Sequence, residues 1–195
     1  MLASRSNVEV RCSWAVGVPD AYLEYHDSEW GVVVRQDRAL YERICLEGFQ
    51  AGLSWWTILS RRAAFREVFA NFDPQVVATF SEREVAKLRI DPRIIRHEGK
   101  IKAAIVNAKA VLVLGDGGLT ELIWSHQPPL RARPIVGGPI LAQSVESIAL
   151  AKTLKSVGFA FIGPTTAYAL MQACGLVNDH VVGCAAGDRL DASVP

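Results

Sequence analysis

The chain has 195 residues, half of them apolar and 21% charged, which excludes disordered, collagenous and low-complexity classes and leaves enough length to bury one core. With 21 Lys and Arg against 20 Asp and Glu the formal net charge is +1, so overall charge selects neither for nor against a polyanionic partner. No apolar run reaches the ~18 residues of a membrane span, and the N-terminal MLASRSNVEVRCSW lacks the apolar core of a secretory signal, so a cytoplasmic protein without membrane association is expected.

The apolar spacing is helical almost throughout. Asp37 to Leu46 places Leu40, Tyr41, Ile44 and Cys45 on one stripe behind Asp37 as N-cap. Ser54 is placed to cap a helix in which Ile58, Leu59, Phe65, Val68 and Phe69 recur at helical turns. Ser81-Glu-Arg-Glu84 has the pattern of a capping box and opens a short helix to Ile90. A longer amphipathic helix is expected from Arg93 to Leu114, stopped by Gly115-Asp-Gly-Gly118, and a short one from Leu119 to Trp124. Prolines and glycines make 127–143 an irregular connection. Ser144 to Val157 suits a helix ending at Gly158 in the left-handed position, and Pro164 opens a last helix to Val177. Only Val32–Val34 reads as strand-like, and no repeat is visible, so the expected fold is all-α. The tail 185–195 has few large apolar side chains and is expected to be mobile.

Four groups of residues carry chemistry. His180-x3-Cys184 brings two metal-ligand types to one helical face, and Cys12 with His26 supplies two more near the other end of the chain. Together they make a candidate Cys2His2 site, the alternative being core or surface residues; disulfides are disfavoured in a reducing compartment. Gly158-Phe-Ala-Phe-Ile-Gly-Pro-Thr-Thr166 forms either an ordinary corner between helices or a hairpin whose exposed amides, at the positive end of a helix, hold a phosphate. In Cys45-Leu-Glu-Gly-Phe-Gln-Ala-Gly-Leu-Ser-Trp-Trp56, Glu47 and Trp55 either line a pocket for an aromatic ligand or divide between a solvated helix end and the core. Between Lys87 and Lys109 seven cations face only Asp91 and Glu98, which is a solvated helix face or a polyanion-facing one.

Six segments in one order resemble the 3-methyladenine DNA glycosylase I (TAG) family of the helix-hairpin-helix superfamily: Arg11-Cys-x-Trp14, Tyr25-His-Asp-x-Glu-Trp-Gly31, Leu46-Glu-Gly-x-Gln-Ala-Gly-Leu-Ser-Trp55, Ile94-Ile-Arg-His-x-Gly-Lys-Ile101, Gly158-Phe-x-Phe-x-Gly163 and Met171-Gln-Ala-Cys-Gly-Leu-Val-Asn-Asp-His-Val-Val-Gly-Cys184. The resemblance covers 11–184 and implies one glycosylase domain spanning the chain. It implies a monofunctional base-excision repair hydrolase without lyase activity, which flips 3-methyladenine out of alkylated double-stranded DNA, releases it as free base and works as a monomer. It assigns Cys12, His26, His180 and Cys184 to one structural zinc ion. Glu47 matches the catalytic carboxylate that bonds the excised base, Trp55 the stacking residue, and Trp14, Tyr22 and Tyr25 the other pocket rings. Leu53 resembles the residue that fills the gap in the duplex, while Gly163, Thr165 and Thr166 fall in the DNA-binding hairpin. Arg93 stands where the family has Gly, Glu98 where a basic residue is common, and the stretch from Trp124 to Gln127 is about two residues short, departures that bear on the DNA footprint rather than the pocket.

Mechanistically, an N3-methylated purine is cationic while joined to the sugar and leaves as a neutral base, so little acid catalysis is needed. Glu47 is expected to stay ionised and to favour that cation over adenine, and to discriminate against methylated guanine, whose carbonyl would oppose the carboxylate. The position that carries Asp in many related glycosylases is Asn178 here, with Asp179 one place along, so no strong general base is expected and capture of the flipped base supplies most of the acceleration.

Overall fold

The computed structural model describes residues 10–139 and 141–192. Among them the chain forms helices α1 (Asp20–Ser28), α2 (Asp37–Gln50), α3 (Trp55–Leu59), α4 (Arg62–Val68), α5 (Pro74–Val77), α6 (Glu82–Leu88), α7 (Glu98–Leu114), α8 (Gly118–Trp124), α9 (Val145–Ser156), α10 (Pro164–Ala173) and α11 (Ala185–Ala192), with 3-10 turns at Ser13–Ala15 and Ala70–Phe72 and no strand. No single described helix is long and apolar enough to cross a membrane.

The framework is α2 and α7, which pack on each other; α3, α8 and α10 also lie against α2, and α5, α6 and α8 against α7. Leu40, Tyr41, Ile44, Cys45, Leu46 and Phe49 of α2 are all buried, as a helix with neighbours on several sides requires. The buried Tyr41 hydroxyl donates to the Ala104 carbonyl at 2.8 Å and joins the two framework helices. The neighbouring helices α9 and α10 flank the hairpin 157–163, whose Ala160 is held from α7. Asn107 Oδ1 accepts from Ala160 N at 2.7 Å and its Nδ2 donates to Ala160 O at 3.2 Å.

Local signals fix several ends as expected. Ser54 Oγ accepts from Thr57 N, Ser81 and Glu84 form their capping box, Ser144 caps α9, and Gly158 takes φ +97° just beyond it. Residues 127–139 and 141–143 are irregular.

Tertiary contacts override the sequence pattern elsewhere. Gln36, not Asp37, occupies the N-cap of α2; Asp37 instead accepts from Thr120 N at 2.8 Å and anchors the start of α8. The helix expected after Ser54 breaks at Ser60–Arg61 into α3 and α4. Residues 93–97 stay outside α7: Arg93 N donates to Asp91 Oδ1, and the His97 ring caps α7 by accepting from Lys100 N. Val32–Val34 is not a strand; Val34 bonds Cys174 O and accepts from the Trp124 indole. The helix opened by Pro164 ends at Ala173 rather than Val177, because Gly175 at φ +78° runs so close to 31–33 that a Cβ would lie 2.7 Å from Gly31 O. The expected mobile tail is corrected over Ala185–Ala192, which is helical. Its small residues allow close docking: a Cβ on Gly187 would lie 2.5 Å from His180 Cβ, Ala186 is buried, and Arg189 donates to Asp27 O. Positions 193–195 lie outside the described residues.

Candidate functional site

Cys12, His26, His180 and Cys184 converge from the N-terminal segment, α1 and the turn before α11. All four are buried, and their ligand atoms lie within 4.8 Å of one another. Cys184 Sγ is 3.4 Å from His180 Nδ1 and 3.6 Å from His26 Nε2, and Cys12 Sγ is 3.7 Å from His180 Nδ1. A tetrahedron with ordinary zinc bond lengths has a sulfur-to-nitrogen edge of about 3.6 Å. The second nitrogen of each imidazole has its own acceptor: His26 Nδ1 meets Asp27 Oδ1 at 2.7 Å and His180 Nε2 meets Trp30 O at 3.1 Å. These bonds turn the lone-pair nitrogens toward the sulfurs, the tautomers that ligation needs. Burial, helped by neighbouring Cys184, pushes the Cys12 thiol up to about 11, so a thiolate pair there requires a cation. The residues fit a metal ion, and with four protein donors no coordination position remains for water.

The second constellation lies between α1, α2 and α3. Glu47, in the last turn of α2, is 5% exposed, and no described residue donates a hydrogen bond to it. Trp55 opens α3, and its buried indole N–H has no partner among the described residues. Tyr25 of α1 bridges them: its ring centroid is 5.2 Å from that of Trp55, and its hydroxyl is held neutral by burial and by Glu47. One helical turn earlier on the same face, Tyr22 stacks on Trp56 at 5.9 Å and meets Trp14 at 5.6 Å. Trp14 in turn sets its edge against His26 and Trp30, so the Cys/His cluster buttresses the aromatic wall. The five residues expected in the pocket are thus brought into one region.

The charge state of Glu47 differs from expectation. Burial raises its carboxyl to about 8, and Arg43 one turn away counters this only partly, because Arg43 also pairs with Glu29 at 3.4 Å. In the ligand-free protein Glu47 is therefore largely protonated at neutral pH, and ionisation awaits a positive charge beside it. Sequence reasoning could count the acid but not its desolvation.

Leu53 is exposed in the turn between α2 and α3. Gly163 caps α10 with open space where a Cβ would point, Thr165 is exposed and Thr166 partly so. Much of the basic segment is internally paired. Arg93 is held by Asp91 at 2.8 Å and Glu67 at 2.9 Å, and Glu98 draws in Arg89 at 3.1 Å and Lys102 at 2.9 Å. Both departures at 93 and 98 thus consume positive charge within the protein.

Asn178 is tied to the chain end, donating to Gly187 O and Asp191 while accepting from His180 N. Asp179 accepts from Tyr168, Gln172 and Arg131 beside a cavity of about 530 Å³ that Trp14 and Trp30 also line. Neither contacts Glu47. An Asn178→Ala variant is expected to keep base-release activity within about tenfold of wild type and to lose on the order of 1 kcal/mol of stability through α11; thermal melts and initial rates check both. The supporting residues that sequence reasoning missed are Asp27 and Trp30, which orient the imidazoles. Their signal was adjacency to His26 in a polar-aromatic run.

These features define a class: a helical scaffold in which a buried acid, Glu47, is gathered with a cluster of aromatic rings. The family model described as methyladenine glycosylase matches residues 14–187. The chain is 48% identical over 179 residues to DNA-3-methyladenine glycosylase 1 of Escherichia coli (strain K12), covering 89% of this chain and 95% of that protein. It superimposes on a crystal structure of 3-methyladenine DNA glycosylase I with a TM-score of 0.86 at 45% identity, covering 90% and 98% of the two chains. A single-residue variant of a 3-methyladenine DNA glycosylase I, solved in complex with 3-methyladenine, gives 0.85 at 30% identity, covering 91% and 97%. The chain belongs to the methyladenine glycosylase family.

Proposed function

We propose that the protein is a monofunctional DNA-3-methyladenine glycosylase, without lyase activity, which hydrolyses the N-glycosidic bond of 3-methyladenine in alkylated double-stranded DNA for base-excision repair. The observation that carries this reading is the buried, unpaired carboxyl of Glu47 beside the unpaired indole N–H of Trp55 and the ring of Tyr25. A fully buried indole N–H without a partner is costly unless a ligand satisfies it, and the 5% exposed acid of Glu47, which no described residue bonds, offers a second polar contact.

The lesion must leave the stack to reach them, at a cost of roughly a few kcal/mol. Leu53, exposed at the rim, fills the vacancy, and the hairpin residues Gly163, Thr165 and Thr166 hold a backbone phosphate at the start of α10. N3-methylation makes the purine positive while it remains joined to the sugar. As that cation enters among Trp14, Tyr22, Tyr25 and Trp55, it lowers the Glu47 pKa; the proton passes to solvent, and the carboxylate accepts hydrogen bonds from the adenine edge. Neutral adenine offers no charge to drive this step, and a methylated guanine sets a carbonyl against the carboxyl. The positive purine is a good leaving group, so positioning and charge stabilisation supply the acceleration.

One Zn2+ bound by Cys12, His26, His180 and Cys184 would supply structural closure between the two chain ends and no catalytic water. The protein acts as a monomer in this reading, and four cysteines without disulfides suit the reducing cytoplasm. The whole chain then acts as one glycosylase domain. Incubation with methylated duplex DNA, followed by chromatography of the released bases, is expected to yield 3-methyladenine with little 7-methylguanine. Binding to damaged DNA with no base released would leave a recognition module instead.

A further inference from the structure

Among the described residues, Lys100, in the first turn of α7, is a buried charged group that the mechanism does not use. It is 8% exposed, and no carboxylate among the described residues pairs with it. A buried lysine without an acid is uncommon and costly, and burial lowers its pKa. Its ammonium instead donates to two main-chain carbonyls at the end of α2, Phe49 O at 2.8 Å and Ala51 O at 2.7 Å. Carbonyls at a helix C-terminus lack intrahelical donors and carry partial negative charge, so a cation there is stabilising.

The second of these bonds sits at a decisive place. Residues Gln50 to Leu53 form a tight turn closed by Leu53 N donating to Gln50 O at 2.6 Å, with Ala51 at φ −47°, ψ 116° and Gly52 at φ +82°. Those angles define a type II turn, which differs from type I by a flip of its central peptide. The carbonyl of that central peptide is Ala51 O, the atom Lys100 holds. Gly52 satisfies the positive φ, and nothing lies within 4 Å of where its Cβ would be, so packing around that residue does not fix the turn. The next residue after the turn is capped independently, Ser54 accepting from Thr57 N, which secures Trp55 without help from Lys100.

We propose that Lys100 is a positioning residue that locks the 50–53 turn as type II and so aims Leu53 at the duplex. The inference rests on the wedge role given to Leu53 above.

The test is a double-mutant cycle with Lys100→Met, which keeps the unbranched stem and removes the donors, and Leu53→Ala, read as 3-methyladenine release from methylated duplex DNA. Lys100→Met is expected to slow release roughly tenfold or more. In the Leu53→Ala background it is expected to slow release less than about twofold, and binding of free 3-methyladenine is expected to stay within about twofold of wild type, because the pocket is intact. Wild-type release by Lys100→Met alongside a slow Leu53→Ala overturns the inference and leaves the wedge standing. So does an equal fold-loss in both backgrounds, or a parallel loss of free-base binding, either of which marks a merely structural lysine. Wild-type release by Leu53→Ala overturns the wedge role and this inference with it. Should Lys100→Met fail to fold, the same cycle with Lys100→Arg, which keeps the charge but not the two-carbonyl geometry, is read by the same criteria.

Discussion

A Glu47→Gln variant is expected to release 3-methyladenine on the order of a hundredfold more slowly than wild type and yet to unfold at a higher temperature. Both effects come from one buried carboxyl. Its folded-state pKa is about 8 against an ordinary 4.5, with burial as the main cause. The folded protein therefore holds this proton more tightly than the unfolded chain does. That stabilisation is fully present below pH 4.5, declines as pH rises, and is gone above about 8. At pH 7 the ionisable side chain thus costs on the order of 3 kcal/mol relative to a neutral one of the same shape. Glutamine removes that dependence, so the gap in melting temperature should open between pH 4.5 and 8 and close at acid pH. The wild-type kcat/KM should fall as pH drops below about 8, because the protonated acid must be ionised to receive the cation; the variant should lack this limb.

Cys184→Ser is expected to lose bound metal and several kcal/mol of stability, with a matching fall in melting temperature when a strong chelator is added to wild type. Cys184 lies within bonding reach of both imidazoles and is fully buried. Its loss leaves Cys12, His26 and His180 in an apolar surround with one ligand missing, and burial already drives the His180 imidazole down to about 4. The aromatic wall leans on this cluster through Trp14 and Trp30, so free-base binding should weaken along with stability. Metal analysis of both proteins, with melts at matched concentration, checks the prediction; undiminished metal in the variant contradicts the assignment of that ligand.

What the sequence reveals is mostly local. The caps at Ser54, Ser81 and Ser144 were legible because each is decided within four residues, and the all-helical class because apolar spacing repeats over most of the chain. The gathering of Cys12 and His26 with His180 and Cys184 was legible through the order of the motifs, spacing alone leaving it open. Features that depend on distant neighbours were not. The sequence stripe ends at Leu46, yet α2 continues to Gln50, and at Gly48 the hairpin's Phe161 O packs 3.5 Å from where a side chain would begin. The helix at Ala185–Ala192 owes little to large apolar residues and forms by close docking on His180 and α1, which composition cannot register. Glu47 could be singled out by its motif, but its protonation follows from burial in the folded chain, which the motif does not carry. Lys100 reads as one more cation in a basic segment until the end of α2 is set against it.

In the proposed mechanism a buried neutral acid becomes a carboxylate when a positive purine arrives. The direct test is the titration of Glu47 by NMR, with 13C-labelled glutamate, in the free protein and with a 3,9-dialkylated adenine, whose N9 substituent keeps the ring permanently positive. The Glu47 resonance should titrate near 8 in the free protein and well below that in the complex, with close to one proton released on binding at pH 7. A carboxyl titrating in the ordinary range near 4.5 in the free protein, or one whose pKa does not move when the cation binds, would rule out this coupling of Glu47 to the charge of the purine.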